Sequence, residues 1–375
     1  MESEFKTGLN KLIMLLVLFL ALASSTLWAQ SSDLADGRGN VPIPAASWGL
    51  LHNGLRNKFK WPLASDFLWN TAIGSGAIYK PAGIAWTNGT QFFEDEDIIV
   101  MTPKAPLTSV YYSGVGWSGG DRCKAQGGLL ATVPLPTGYV VPNAGNNNST
   151  AVLMPDGATV EQNQPFTRCL KGGSATTLVT FPDSSIYGPG AYGAHGGSGL
   201  SALGGTIRLG EFKSGAIHHP MKIEMWAKQY YFCCSPYWPA TTVDGYANHI
   251  TYGGTNPKLG PGSLLALPPN FDISLMTTIP GKILAQAFKD YGAYVVDDTA
   301  WNAWTLGTEQ GPAGSVVNEF AKLYGFTMSG PAWNSPFMND VTKIMEALQI
   351  VTNNSAKSVG GGGTPRVPAP PAIGN

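Results

Sequence analysis

Residues 187–225 read YGPGAYGAHGGSGLSALGGTIRLGEFKSGAIHHPMKIEM. This stretch combines a dense run of glycine with Tyr192, His195, Arg208, Glu211, His218 and His219, and it holds three of the chain's 5 histidines. Glycine serves where the backbone takes positive φ or where another group must come close. The spacing predicts a glycine-rich loop from Gly188 to Gly205, a strand over Thr206–Phe212, a turn at Lys213–Gly215 and a second strand over Met221–Met225. MKIEM alternates apolar and charged residues, the pattern of a strand with one buried face. If the turn closes a hairpin, Glu211 and His219 become cross-strand neighbours. The bland alternative is a glycine-rich corner of a β-fold whose polar groups only satisfy backbone.

Working outward, the N-terminus reads as a targeting segment. Lys6 and Lys11 precede the apolar run Leu12–Ala23, and small residues follow up to Ala29. That run is short for a bilayer span, so residues 1–29 are expected to be a secretory signal peptide, with a secreted or periplasmic product and no membrane contact after its removal. Charged residues make up 13% of the chain, well under the roughly 25% usual for soluble domains. With 47 Gly, 28 Pro and 11 Trp, this composition suits an extracellular β-rich protein. A net charge of -1 offers no electrostatic case for nucleic acid and argues against a polyanionic substrate. The four cysteines, Cys123, Cys169, Cys233 and Cys234, allow three disulfide pairings, of which Cys123 with Cys169 is preferred. Adjacent cysteines rarely bond each other. A zinc site lacks CxxC spacing.

Short apolar runs separated by Gly, Pro and Asn recur at Ser109–Tyr112, Gly128–Val133, Tyr139–Val141, Ala151–Met154, Ala158–Phe166, Thr176–Phe181, Ser263–Leu267, Phe271–Ile273 and Ala293–Val296. They predict a mainly β chain, a β-sandwich or jelly roll with a few short helices, as one domain over residues 30–354. Helical spacing appears at Lys282–Lys289, Ser315–Leu323 and Asp340–Val351, with Asp340 as a cap for the last. Phe92–Asp97 reads FFEDED. Four consecutive acids are most often a solvated turn, with a calcium site at Glu94–Asp97 as the sharper alternative. Residues 355–375, rich in Gly and Pro, read as a disordered tail.

Gly199-Leu200, Leu203, Gly205, Arg208, Glu211, Gly215, Ile217 and His219 recur in order with Phe271-Asp272-Ile273, Ile283-Leu284, Ala287, Lys289, Tyr291-Gly292 and Asp297. Over about residues 150–305 the chain thereby resembles a family of secreted bacterial β-sandwich proteins that look carbohydrate-active. It departs from that family at Gly210 and His218, and near Gln162, where the family often carries acids.

Hydrolysis of a glycan needs two carboxyls. Glu211 is the leading candidate acid or base, paired with His219, and Asp297 or Asp298 is the natural partner at the end of a buried strand. His195, Tyr192, Arg208, Gln162 and Gln164 are candidate substrate contacts, and Trp226, Tyr230 and Trp238 a candidate sugar-stacking groove. The expected ligand is a neutral polysaccharide or oligosaccharide, with no cofactor and no metal. Adjacent His218 and His219 would point to opposite faces of a strand, and Gly197-Ser198-Gly199 lacks a nucleophile elbow. A lyase using His195, His219 and Tyr192 would act on uronates, against which the charge balance speaks. A non-catalytic carbohydrate-binding protein is the alternative from another class.

Overall fold

A computed structural model describes residues 48–87, 89–143 and 147–374. The expected signal peptide lies outside them. In chain order the strands are β1 (Arg56–Asn57), β2 (Tyr79–Pro81), β3 (Gln91–Val100), β4 (Leu107–Tyr112), β5 (Leu129–Pro134), β6 (Thr150–Leu153), β7 (Thr159–Gln164), β8 (Ala175–Thr177), β9 (Val179–Ser185) and β10 (Tyr192–His195). They continue with β11 (Met221–Met225), β12 (Leu264–Ala266), β13 (Ala293–Asp298), β14 (Ala303–Gly311), β15 (Gly314–Ser315), β16 (Gly330–Pro331), β17 (Gln349–Val351) and β18 (Ile373–Gly374). The helices are α1 (Glu211–Ser214), α2 (Ala227–Tyr230), α3 (Ile279–Asp290), α4 (Val316–Tyr324) and α5 (Pro336–Ala347).

The chain is mainly β with a few short helices, as its turn-punctuated apolar runs predict. Its strands do not pair as a sandwich or jelly roll. Ten of them form one mixed sheet in the order β2-β17-β12-β13-β11-β14-β3-β6-β7-β9, with β15 and β16 added at β14 and β3, and a separate three-stranded sheet β5-β4-β8. The pairs β11–β13, β14–β3 and β3–β6 are parallel. Parallel neighbours need long crossovers, and α2, β12 and α3 supply the one between β11 and β13. Short apolar runs alone do not distinguish this arrangement from a chain of hairpins.

Helices α3, α4 and α5 cover one sheet face. Ile283, Leu284, Phe288, Phe320, Val341 and Ile344 join Ile223, Val295, Trp304 and Leu306 in one apolar cluster. Each helix starts at a hydroxyl cap: Thr278 accepts from the Gly281 N–H, Ser315 from Asn318 and Ser335 from Met338. Asp340 is therefore not a cap. It is buried inside α5 and accepts from the backbone N–H groups of Thr277 and Thr278 at 2.8–3.0 Å, tying α5 to the start of α3. The predicted turn Pro155-Asp156-Gly157 is present. Asp156 Oδ1 accepts from Ala158 and Thr159, and the turn joins the antiparallel pair β6–β7.

The opposite face meets the glycine-rich loop. Leu200, Ala202 and Leu203 pack with Trp69, Tyr294, Val296, Ile99 and Leu153. A Cβ at Gly204 or Gly205 would sit 2.3–2.4 Å from the Trp69 ring, so the loop needs glycine there to lie flat on the sheet. Two local expectations change here. Thr206–Phe212 is not a strand; only Ile207 bridges to Thr308, and Glu211–Ser214 is a helical turn. The strand β11 is buried on both faces, so Lys222 and Glu224 are interior charges.

Residues 355–374 are docked rather than a disordered tail. Strand β18 pairs parallel with β1, Arg56 Nε donates to the Pro371 carbonyl at 2.6 Å, and Gly74 and Gly76 donate to Gly360 and Gly362 at 2.9 Å. Backbone hydrogen bonds at close glycine–glycine contacts hold this segment, which is why an apolar pattern does not reveal it. Cys123 and Cys169 form a disulfide, as preferred. The side chains of the neighbouring Cys233 and Cys234 lie against each other. No helix among the described residues is long and apolar enough to cross a membrane.

Candidate active site

FFEDED is not a solvated turn. It lies inside β3, paired along its length with the parallel strand β14, while β6 joins β3 only from Ile98 onward. Alternation sends Asp95 and Asp97 to the face under the glycine-rich loop and Glu94 and Glu96 to the other. Burial pushes the Glu94 carboxyl up to about 7, and Glu96 accepts from the Ser315 hydroxyl at 2.8 Å.

On the loop side, Lys222 from β11 reaches across β14 to β3. Its Nζ lies 2.8 Å from Asp97 Oδ2, and donates to the carbonyls of Ser201 at 3.2 Å and Ala202 at 2.9 Å. The intervening residue on β14 is Gly307, where a Cβ would fall 2.8 Å from Lys222 Cε and 3.0 Å from Asp97 Oδ2. The absent side chain is what allows the ion pair to span a strand. His195, at the end of β10 and fully buried, places Nε2 2.9 Å from Asp97 Oδ1. Burial alone would raise the Asp97 pKa, but Lys222 and His195 outweigh it and hold the carboxyl below its ordinary value. Glu224, two residues along β11, accepts from the Thr305 hydroxyl at 2.8 Å through Oε2. Asp95 accepts from Asn147 at 3.3 Å.

Beside this cluster opens a cavity of about 520 Å³, lined by Trp117, Asn147, Gln164, Gly196, Gly197, Asp244, Gly245, Tyr246, Asp297, Asp298 and Ala300. Asp244 accepts from the Tyr252 hydroxyl at 2.6 Å. Burial, with the charge of Asp297 next, pushes its carboxyl up to about 7. A Cβ at Gly197 would lie 2.5 Å from Asp297 Oδ1 and 3.2 Å from both Asp244 oxygens. Both carboxyls therefore border Gly197, with an Asp244 oxygen no farther than about 6 Å from Asp297 Oδ1, close enough to act on one bond. Asp298 is held by the N–H groups of Ala227 at 2.8 Å and Ala300 at 2.9 Å, and by the Tyr246 hydroxyl at 3.0 Å.

The expected residues are dispersed. Asp297, Asp298 and Gln164 line the cavity, and His195 sits behind it. Gln162 is buried and fixes the loop, accepting from Ala194 and Ala202 N–H. Arg208 is buried against Glu309 at 2.8 Å and the carbonyls of Phe59 and Lys60. Tyr192 is exposed. Tyr230 is in the core with its hydroxyl on the Ala85 carbonyl, Trp226 lies under Lys228, and Trp238 packs on Phe67. These three aromatics form no common groove with the carboxylates. Sequence reasoning missed Trp117, Tyr246, Asp244 and Lys222. The alternating charges of FFEDED and MKIEM were the available signal for the buried cluster.

Glu211 and His219 do meet, at 3.1 Å, although through a helical turn rather than a hairpin. Glu211 also accepts from the Arg208 N–H at 2.7 Å and is fully buried. The adjoining void, about 20 Å³, has room for a water and not for a sugar. In the β11–β13 register Met221 pairs with Ala293 and Glu224 with Asp297, so His219 and Asp297 sit at opposite ends, on the order of 10–15 Å apart along the strands. Glu211 and Asp297 are therefore not a carboxyl pair.

Burial lowers the His219 pKa, but the charge and hydrogen bond of Glu211 and the Pro220 carbonyl raise it more, leaving it above its ordinary value. The ion pair thus stabilises the fold fully below the unfolded histidine pKa, and that stability is lost as pH rises through the folded one. Glu211→Gln is expected to destabilise the protein by about 2–4 kcal/mol near pH 6 and to reduce this alkaline loss of stability. Urea melts of both proteins at pH 6 and pH 9 check it; equal midpoints at pH 6 would remove the pair's structural role.

Comparison with protein-family models, with curated proteins and with solved structures finds no match to this chain. The site alone carries the functional reading.

Proposed function

We propose that this chain is an exported glycoside hydrolase acting on a neutral glycan, with its chemistry in the cavity bordered by Asp244 and Asp297. The observation that carries this reading is the pair of carboxyls within about 6 Å, facing one cavity of sugar size. Asp244 takes the role of acid, since burial and the charge of Asp297 push its carboxyl up to about 7, within reach of the protonated form near neutral pH. Asp297 supplies the second carboxyl, opposite the bond to be cleaved. Trp117 and Tyr246, both half-exposed at the cavity, offer faces for a sugar ring, and Asn147 and Gln164 offer amides for its hydroxyls. No Lys or Arg lines the cavity, so three aspartates would repel a uronate.

The test is a screen of neutral polysaccharides for released reducing ends. Release by the parent protein supports hydrolysis. Binding to insoluble glycans without release would move the assignment to a non-catalytic carbohydrate-binding protein.

A further inference from the structure

The buried cluster gathers four carboxyl groups around two basic side chains. Asp95, Asp97, Glu224 and Asp297 converge on Lys222 and His195, and all six are buried. Lys222 has three ammonium protons and three oxygen partners: Asp97 Oδ2 at 2.8 Å and the carbonyls of Ser201 at 3.2 Å and Ala202 at 2.9 Å. It therefore has none to spare for His195 Nε2, although that atom is 3.0 Å away. Nε2 must carry its own hydrogen and donate it to Asp97 Oδ1 at 2.9 Å. In the neutral imidazole this leaves the Nδ1 lone pair pointing away from Asp97, toward carboxylates.

Nδ1 has no hydrogen-bond partner, and neither has Glu224 Oε1. Their side chains are 0% and 4% exposed, and the two atoms are 3.8 Å apart. Asp297 Oδ2 is 4.0 Å from the same Nδ1. One imidazole nitrogen and two carboxyl oxygens thus lie within 4.8 Å of one another. Buried polar atoms are rarely left without a hydrogen-bond partner. A divalent ion about 2.0–2.2 Å from each would satisfy all three after side-chain shifts of a few tenths of an ångström.

We propose that His195 Nδ1, Glu224 Oε1 and Asp297 Oδ2 bind a divalent transition-metal ion, of the zinc or manganese type. The imidazole ligand favours such an ion over calcium or magnesium, which prefer oxygen shells. The surrounding contacts are those of a metal centre: Asp97 fixes the tautomer and orientation of His195, and Thr305 orients Glu224. The sequence reading assigned no metal, because the three ligands come from separate segments, β10, β11 and β13. Asp297 also borders the cavity, so the ion lies at its edge, with Asp297 Oδ1 held by the Asp298 N–H at 2.9 Å. The assignment shares Asp297 with the glycan reading, through Oδ2 rather than the Oδ1 that lies beside Gly197.

The experiment uses the full chain purified without chelator. Elemental analysis is expected to find about one equivalent of a transition metal. After dialysis against EDTA, titration with Zn²⁺ and separately with Mn²⁺ should show one site and a raised melting temperature. Glu224→Gln and Asp297→Asn are each expected to weaken Zn²⁺ binding by about tenfold or more, with far-ultraviolet circular dichroism unchanged. Asp297→Asn, at the cavity edge, keeps the test decisive if Glu224→Gln fails to fold. Asp244→Asn should bind Zn²⁺ as the parent does, which separates this result from any failure of the catalytic assignment. Absence of bound metal together with no Zn²⁺ or Mn²⁺ binding by the parent would overturn the proposal, and Nδ1 would then carry a proton shared with the carboxylates. Undiminished binding in both ligand variants would overturn it equally.

Discussion

Lys222→Met is expected to cost about 3–5 kcal/mol of stability, because it leaves a buried carboxylate without its compensating charge. The ammonium is the one contact of Asp97 that is a fixed cation at 2.8 Å, and it is sealed between β11, β14 and the glycine-rich loop. Methionine matches the length of the lysine stem, so the loss is of charge and hydrogen bonds rather than packing. The carbonyls of Ser201 and Ala202 lose a donor at the same time, which should loosen the loop where it crosses the sheet. In a chain of this size the effect should lower the melting temperature by roughly 10 °C. Differential scanning calorimetry of the two proteins measures it. Adding Asp97→Asn to Lys222→Met should recover part of the loss, since the stranded charge is then gone. A single variant melting with the parent would mean that the cluster is neutralised in another way.

The second large effect is on turnover. Asp244→Asn keeps the side chain's volume and can still accept from the Tyr252 hydroxyl, so the fold and the cavity should persist. It removes the proton that would be delivered to the leaving group. Turnover on a glycan that the parent cleaves is expected to fall by about 10²-fold or more, with KM little changed. Asp297→Asn should fall as far. Glu211→Gln, once its lower stability is allowed for, should retain turnover, because its carboxylate is buried against His219 and the Arg208 N–H and does not line the cavity. Initial rates below the melting range of each variant decide the matter. Full activity in Asp244→Asn would exclude the residue as the acid, and an inactive, fully folded Glu211→Gln would return that role to Glu211.

Much of the local structure is written in short spans of the chain. Pro155-Asp156-Gly157 makes its turn because an aspartate and a glycine suffice for one. The apolar face of α3 and its Thr278 cap lie within a dozen residues. The nearness of Glu211 and His219 was legible too, since eight positions separate them and either a hairpin or a helical turn brings such residues together. What such spans do not carry is which face of a strand another segment will cover. FFEDED has the composition of a solvated turn; it becomes part of a sheet strand because β14 pairs along it and the glycine-rich loop lies over its Asp95 and Asp97 face. MKIEM looks half-exposed for the same reason.

The glycines of that loop and Gly307 mark where backbone approaches closely, but not what approaches. Only the fold shows that Gly307 leaves the gap through which Lys222 reaches Asp97. Likewise His195, Glu224 and Asp297 meet because β11 and β13 run parallel in a register that pairs Glu224 with Asp297, with the end of β10 laid beside them. Sequence by itself determined a mainly β chain and the turn at Pro155-Asp156-Gly157, and it ranked the pairing of Cys123 with Cys169 first without excluding the others. Tertiary structure decided which charges are buried and which carboxyls share a cavity, because burial and electrostatic coupling depend on segments distant in the chain, while turn and helix propensities act over a few residues.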